Sequence, residues 1–316
     1  GSYEISPSDI VHLGDGRWND VTMARQAGCP ARWVDHAAPT RFERALAEGG
    51  VIGAAVAGAA RQARLDLEAG EPEHHRLERL GADVAGGAFS AFLLWLRQQV
   101  EAEGLGQVAF LARDGRLLHD MAHDMASDHW EGFDLHYLRA SRRAWLLAAA
   151  SAVGVHEWIE VGCRTPDAFI HHSRHDIPFR SLLARIGLDP DDLDQHPELA
   201  ALDPGRPLPP RLVPAWEAML GHDTIAQAIG HRSTARRELI LDHLADLGLP
   251  PAPFAVVDVG WKGQFGWLVG SVLSAHTGHR CVHFHIGGDQ VVPDLEQLVE
   301  IRRFAFNDLE RPHPFH

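Results

Sequence analysis

Three short stretches of the chain carry residue types able to handle phosphate and a metal ion. The first is Arg113-Asp114-Gly115, directly after the apolar run Val108-Ala109-Phe110-Leu111. An aspartate there can hold a divalent cation or a ribose hydroxyl, and an arginine can clamp phosphate through two parallel hydrogen bonds. The plainer alternative is an Arg–Asp pair that caps the following helix. The second stretch is Ser141-Arg142-Arg143. Two arginines at a helix start oppose the helix dipole, and a bound anion would offset that cost. Here the alternative is two solvated side chains, because adjacent residues do not share a helix face. The third is Asp258-Val259-Gly260-Trp261-Lys262-Gly263-Gln264. Glycines allow close backbone approach, and Lys262 with the next helix start makes an anion cradle. A tight glycine turn with an exposed lysine is the bland reading. The stretch matches neither G-x-x-x-x-G-K-[ST] nor G-x-G-x-x-G.

Pooled, the stretches offer Arg113, Arg142, Arg143 and Lys262 for phosphate, and Asp114 and Asp258 as catalytic carboxylates and metal ligands. Gly115, Ser141, Gly260, Trp261, Gly263 and Gln264 complete the predicted substrate-binding set. That inventory suits a phosphorylated sugar or nucleotide bound with Mg²⁺.

The elements that must position these residues follow from apolar periodicity. Ala88 to Glu103 reads as a helix, with Phe89, Phe92, Leu93, Leu96 and Val100 on one face. Strands are predicted at Ile10–Leu13, Val108–Leu111, Leu135–Leu138, Phe254–Val259 and Cys281–Ile286. Helices are predicted at Asp20–Ala27, over 40–70, after Gly115, after Ser141 and after Gln264, with a polar break at Glu71–His75. Residues 156–250 read as a mostly helical insertion. Strands alternating with helices predict an α/β fold, a mostly parallel sheet flanked by helices. Ligands in such sheets sit beyond the carboxyl ends of the strands, where all three stretches fall.

Composition narrows the partners. With 29 Lys+Arg against 43 Asp+Glu, the net charge is −14, which argues against nucleic-acid binding and against anionic lipid. The run from Gly49 to Ala60 is too short to span a bilayer, so no membrane insertion is expected. Cys29, Cys163 and Cys281 form no CxxC pair, so a cytoplasmic setting is the default. No signal peptide opens the chain, and Gly1-Ser2 reads as an expression scar with the natural start upstream. His171-His172-x-x-His175 lies in a polar loop, and His283 and His285 share a strand face. Surface or satisfied core histidines are the expectation for both groups, ahead of a metal site. G-x-S-x-G and H-E-x-x-H are absent.

Two family resemblances attach to these residues. Residues 11–28, from Val11-His12-Leu13-Gly14-Asp15 through Asn19-Asp20 to Ala27-Gly28, resemble the fourth motif of the haloacid dehalogenase phosphatases. The likeness makes Asp15 and Asp20 that family's magnesium-holding positions. It covers only about the first tenth of the chain, and residues 1–14 offer no D-x-D nucleophile. Residues 1–38 are therefore expected to be a remnant of such a domain, with 39–316 as the main domain.

The second resemblance is larger. Phe110-Leu111-Ala112-Arg113-Asp114-Gly115, Ser141-Arg142-Arg143-Ala144 and Val257–Gln264, in that order, resemble the domain that follows a phosphatase in dual-domain bacterial ribofuranosyltransferases. It spans roughly 85–290. The resemblance implies a Mg²⁺-dependent phosphoribosyltransferase. Such an enzyme moves 5-phosphoribose from 5-phosphoribosyl-1-diphosphate (PRPP) to a sugar-type acceptor, and the family's phosphatase half later removes the 5-phosphate; for this chain a separate phosphatase acting on the product is the expected partner. The acceptor it implies is a glycan. The acidic charge adds a cationic aminoglycoside or aminocyclitol of antibiotic biosynthesis, with a plain role in solubility as the bland alternative. A phosphatase and a non-catalytic binding module are the competing expectations.

Overall fold

The computed structural model describes residues 5–34, 38–67, 72–125, 129–164, 177–249, 252–260, 263–279, 281–288 and 300–305. Trp261, Lys262 and the His171/His172/His175 group lie outside them. The chain divides into two compact units, Gly1–Ala91 and Phe92–His316.

In the first unit, strands β1 (His12–Gly14) and β2 (Ala31–Trp33) pair in parallel around a π-turn at Arg17–Thr22 and helix α1 (Met23–Gln26). Helices α2 (Arg41–Ala47), α3 (Gly50–Leu65) and α4 (Pro72–Leu80) follow. The predicted break at 71–75 is overturned, because α4 begins at Pro72. Proline is well placed in a first helical turn, where its missing N–H costs nothing. Thr40 caps α2 by accepting from Glu43 N–H, and buried Glu43 pairs with buried Arg64 at 2.8 Å. Arg64 also meets Asp83 at 3.2 Å, so a buried charge has carboxylates on two sides.

Helix α5 (Gly86–Ala102) leads into the second unit, an α/β layer built on a five-stranded, all-parallel sheet among the described residues. Its strands are β3 (Gln107–Leu111), β4 (Asp134–Leu138), β5 (Phe254–Gly260), β6 (Cys281–Gly287) and β7 (Glu300–Arg303), ordered β4-β3-β5-β6-β7. Helix α6 (Gly115–Asp124) links β3 to β4. Between β4 and β5 run helices α7 (Arg142–Val153), α8 (Val155–Ile159), α9 (Phe179–Arg185), α10 (Pro197–Ala200), α11 (Val213–Leu220) and α12 (Asp223–Asp246). Helix α13 (Gln264–Thr277) links β5 to β6.

Parallel sheets bury both faces, and this one does. On one face Phe92, Leu93, Leu96 and Val100 of α5 are fully buried, and Trp95 meets Phe284 edge-on at 5.9 Å. On the other, Leu111, Leu138, Phe254 and Val256 join one core cluster with Trp145 to Ala150 of α7 and Phe265, Trp267 to Val269, Val272 and Leu273 of α13. Helix α7 is apolar nearly all round, which marks a buried helix. Ser233 of α12 ties itself to α7, donating to Leu147 C=O at 2.6 Å and accepting from Ser151 N–H at 2.7 Å.

His283 and His285 depart from expectation. Neither is surface-exposed, and among the described residues neither ring nitrogen of either side chain has a hydrogen-bond partner. A Cβ added at Gly266 or Gly270 of α13 would collide with the His283 ring, so two glycines one turn apart make the space it fills. Burial, reinforced by neighbouring His285, pushes the His283 imidazole down to about 3. The unfolded chain takes up that proton near pH 6.5, so below this value the unfolded state binds more protons. Stability should therefore be full above pH 6.5 and fall between 6.5 and about 3, by up to about 1.4 kcal/mol per pH unit from this residue. Urea unfolding at pH 7, 6 and 5 measures the slope, and His283→Leu should flatten it by one proton.

Candidate functional site

The sheet reverses its direction of growth between β3 and β5. From β3 the chain steps outward to β4, then returns to the opposite side of β3 as β5. A crevice opens at such a switch point, beyond the strands' carboxyl ends. Arg113-Asp114-Gly115 leaves β3 there, and Asp258 to Gly260 ends β5 there. The Ser141-Arg142 loop leaves β4 alongside, since Leu111 and Leu138 are in register and Ala112 N–H donates to Leu138 C=O at 3.0 Å.

Asp258 is the centre of the arrangement. It lies one register step beyond the Phe110–Val257 pair, on the face covered by α7 and α13, and is in register with His285. Burial pushes its carboxyl up to about 6. The Val259 N–H bond at 2.9 Å and the Arg142 charge pull it down, and the Asp114 charge pushes it up. Asp258 thus feels one charged residue from each of the other two predicted stretches.

Around that centre the sequence-predicted residues take different parts. Asp114 is exposed and stands at the N-cap of α6, but its side chain makes no capping bond. Arg113 and Arg143 are exposed, and the Arg113–Asp114 ion pair weighed as the plainer reading is absent among the described residues. Ser141 caps α7, its hydroxyl accepting from Ala144 N–H at 3.3 Å. A Cβ on Gly115 would stand 3.1 Å from the Phe110 carbonyl carbon, so this glycine serves helix–strand packing. Gly260 (φ +126°) lies against the Gly287 carbonyl, and its closest neighbour is the adjacent strand. Gly263 (φ +74°) is the left-handed N-cap of α13 and faces Ile301. Gln264 opens that helix, whose N-terminus has no side-chain cap.

Sequence reasoning did not connect two neighbours to this site. His285 sits beside Asp258, its imidazole pushed down to about 4 by burial and by the Arg303 charge. Arg303 follows in register on β7. Asp258, His285 and Arg303 thus form a row of acid, neutral imidazole and guanidinium across three strands. The alternation in Cys281–Ile286 marked the histidine face. Nothing in the sequence marked β7.

For a metal ion the described residues hold no cluster of three His, Cys, Asp or Glu ligands. Two carboxylates are nonetheless what Mg²⁺ commonly takes from a protein when substrate phosphates supply other oxygens. Asp114 and Asp258 fit that pattern, because the Asp114 charge raises the proton affinity of Asp258 and a divalent cation would relieve that repulsion.

Residues 11–28 are arranged differently. Asp20 accepts from Gly16 N–H at 2.8 Å and lies 3.4 Å from His12, so its carboxylate braces its own loop. No helix among the described residues is long and apolar enough to cross a membrane. No protein-family model matches the chain, and no curated protein matches it.

Proposed function

We propose that the second unit is a Mg²⁺-dependent phosphoribosyltransferase that uses PRPP and a sugar-type acceptor. What supports the reading is that Asp258, buried at the switch point of the sheet, feels the charges of both Asp114 and Arg142. A donor with a diphosphate and a monophosphate needs cations at two places, and its anomeric carbon needs a carboxylate nearby.

In this reading Arg142, with Arg113, Arg143 and Lys262, binds and orients the donor phosphates. Asp114 and Asp258 would hold Mg²⁺, which supplies charge neutralisation of the leaving diphosphate. The acceptor oxygen forms a bond to C1 of the pentose as the C1–O bond to diphosphate breaks. The diphosphate leaves with the electron pair. The acceptor hydroxyl proton passes to the carboxylate of Asp258, the more buried of the two acids. Attack opposite an α-linked leaving group gives a β-ribofuranoside.

Incubation with PRPP, Mg²⁺ and glycan or aminoglycoside acceptors should release diphosphate and add one phosphopentose mass to the acceptor. Absence of PRPP binding in calorimetry, with and without Mg²⁺, would overturn the reading and favour a non-catalytic module. Arg113→Ala and Arg143→Ala should each weaken PRPP binding about tenfold, one charge-assisted contact. Both should leave unfolding free energy within about 0.5 kcal/mol of wild type, because these exposed side chains support no packing.

A further inference from the structure

Helix α6 carries a histidine pair that phosphate binding does not use. Its sequence reads His119-Asp120-Met121-Ala122-His123. His119 and His123 stand four residues apart on one helix face, with ring centroids 6.4 Å apart. His119 Nδ1 lies 3.0 Å from Asp120 Oδ1. The carboxylate of Asp120 also accepts from Arg116 Nε, at 2.7 and 2.9 Å to its two oxygens. A carboxylate at Nδ1 holds the proton there and leaves the Nε2 lone pair for a ligand, the arrangement metal-binding histidines share. The His119 ring is also braced, edge-on to Phe110 at 5.9 Å and near Tyr137 at 6.0 Å, so little freedom remains to be lost on binding. His123 is exposed and can close on a cation from the solvent side.

We propose that His119 and His123 bind one late first-row divalent cation such as Zn²⁺, with water in the remaining positions and Asp120 orienting His119. Imidazole pairs at this spacing suit Zn²⁺, Ni²⁺ or Cu²⁺, whereas Mg²⁺ takes oxygen donors. Asp120 is engaged by Arg116 and His119, so it acts on the metal through His119. The site lies along α6 from Asp114 and is independent of the phosphate-binding reading.

Full-length chain stripped by chelator is titrated with ZnCl₂ by calorimetry, beside His119→Gln, His123→Gln and Asp120→Asn. The chain has 22 histidines, so the difference between variants is the decisive quantity. Wild type should take up one Zn²⁺ equivalent more than either histidine variant, and its thermal midpoint should rise with Zn²⁺ where theirs does not. Asp120→Asn should keep the stoichiometry and bind about ten- to a hundredfold more weakly. His123 is exposed on the helix surface, so its variant keeps the fold and the test decisive if His119→Gln does not. Equal zinc stoichiometry and affinity in wild type and the histidine variants would overturn the site. Undiminished affinity in Asp120→Asn would overturn the role given to that carboxylate.

Discussion

Asp258→Asn should lower diphosphate release from PRPP about 10²- to 10⁴-fold, the range for loss of a positioned acid–base group. The same change should leave the protein at least as stable as before. Burial and the Asp114 charge already disfavour the Asp258 carboxylate, which is why its pKa is pushed up to about 6. The amide removes that unfavourable charge and keeps the shape, so a rise in Tm of about 2–4 °C is expected, corresponding to about 1 kcal/mol. A diphosphate-release assay and a thermal melt on the same preparation provide both readings. Activity within tenfold of wild type would remove Asp258 from the chemistry. A lower Tm would show that its carboxylate is a structural partner.

The second large effect is expected at Gly260→Ala. Two independent costs meet there. The backbone has φ +126°, which an L side chain rarely adopts, and the new Cβ would collide with the Gly287 carbonyl oxygen on the neighbouring strand. Strain of about 1–3 kcal/mol and overpacking of about 1–3 kcal/mol together make a loss of about 2–6 kcal/mol. Gly154→Ala separates the two, since Gly154 has φ +102° but open space around its missing Cβ. It should lose about 1–3 kcal/mol, from strain alone. Equal urea midpoints for the two variants would show that the approach of Gly260 to Gly287 imposes no constraint.

The strands that hold the site were legible because they are apolar runs ending in glycine or charge. β3, β4, β5 and β6 lie within a residue or two of their predicted limits. β7 was not legible, since Glu300-Ile301-Arg302-Arg303 has one apolar residue in four. Arg302 is held by tertiary contacts, reaching Gln99 on α5 and Glu103 just beyond it. Helix α4 was hidden by its polar sequence, in which Leu77 and Leu80 are the large apolar side chains. Strand order was also beyond the sequence, because pairing of β5 with the open side of β3 is decided by packing of the long helical stretch between them. For the site, residue types at strand ends were enough to nominate Asp114, Arg142 and Asp258. They were not enough to separate those three from glycines that serve packing, such as Gly115 and Gly260. The buried state of His283 depends on Gly266 and Gly270, which lie on another element.

The place of β5 beside β3 also governs the order in which the chain can assemble. β3 and β4 are neighbours in sequence and can pair as soon as α6 forms. The other edge of β3 must wait for a partner roughly 140 residues downstream. At ribosomal speeds of about 5–20 residues per second, that leaves the apolar edge Val108–Leu111 unpaired for roughly ten seconds or more during synthesis. Such a topology folds slowly and exposes a sticky strand in the meantime. Chaperone dependence of expression, relieved by slower production at low temperature, is the cellular signature to look for.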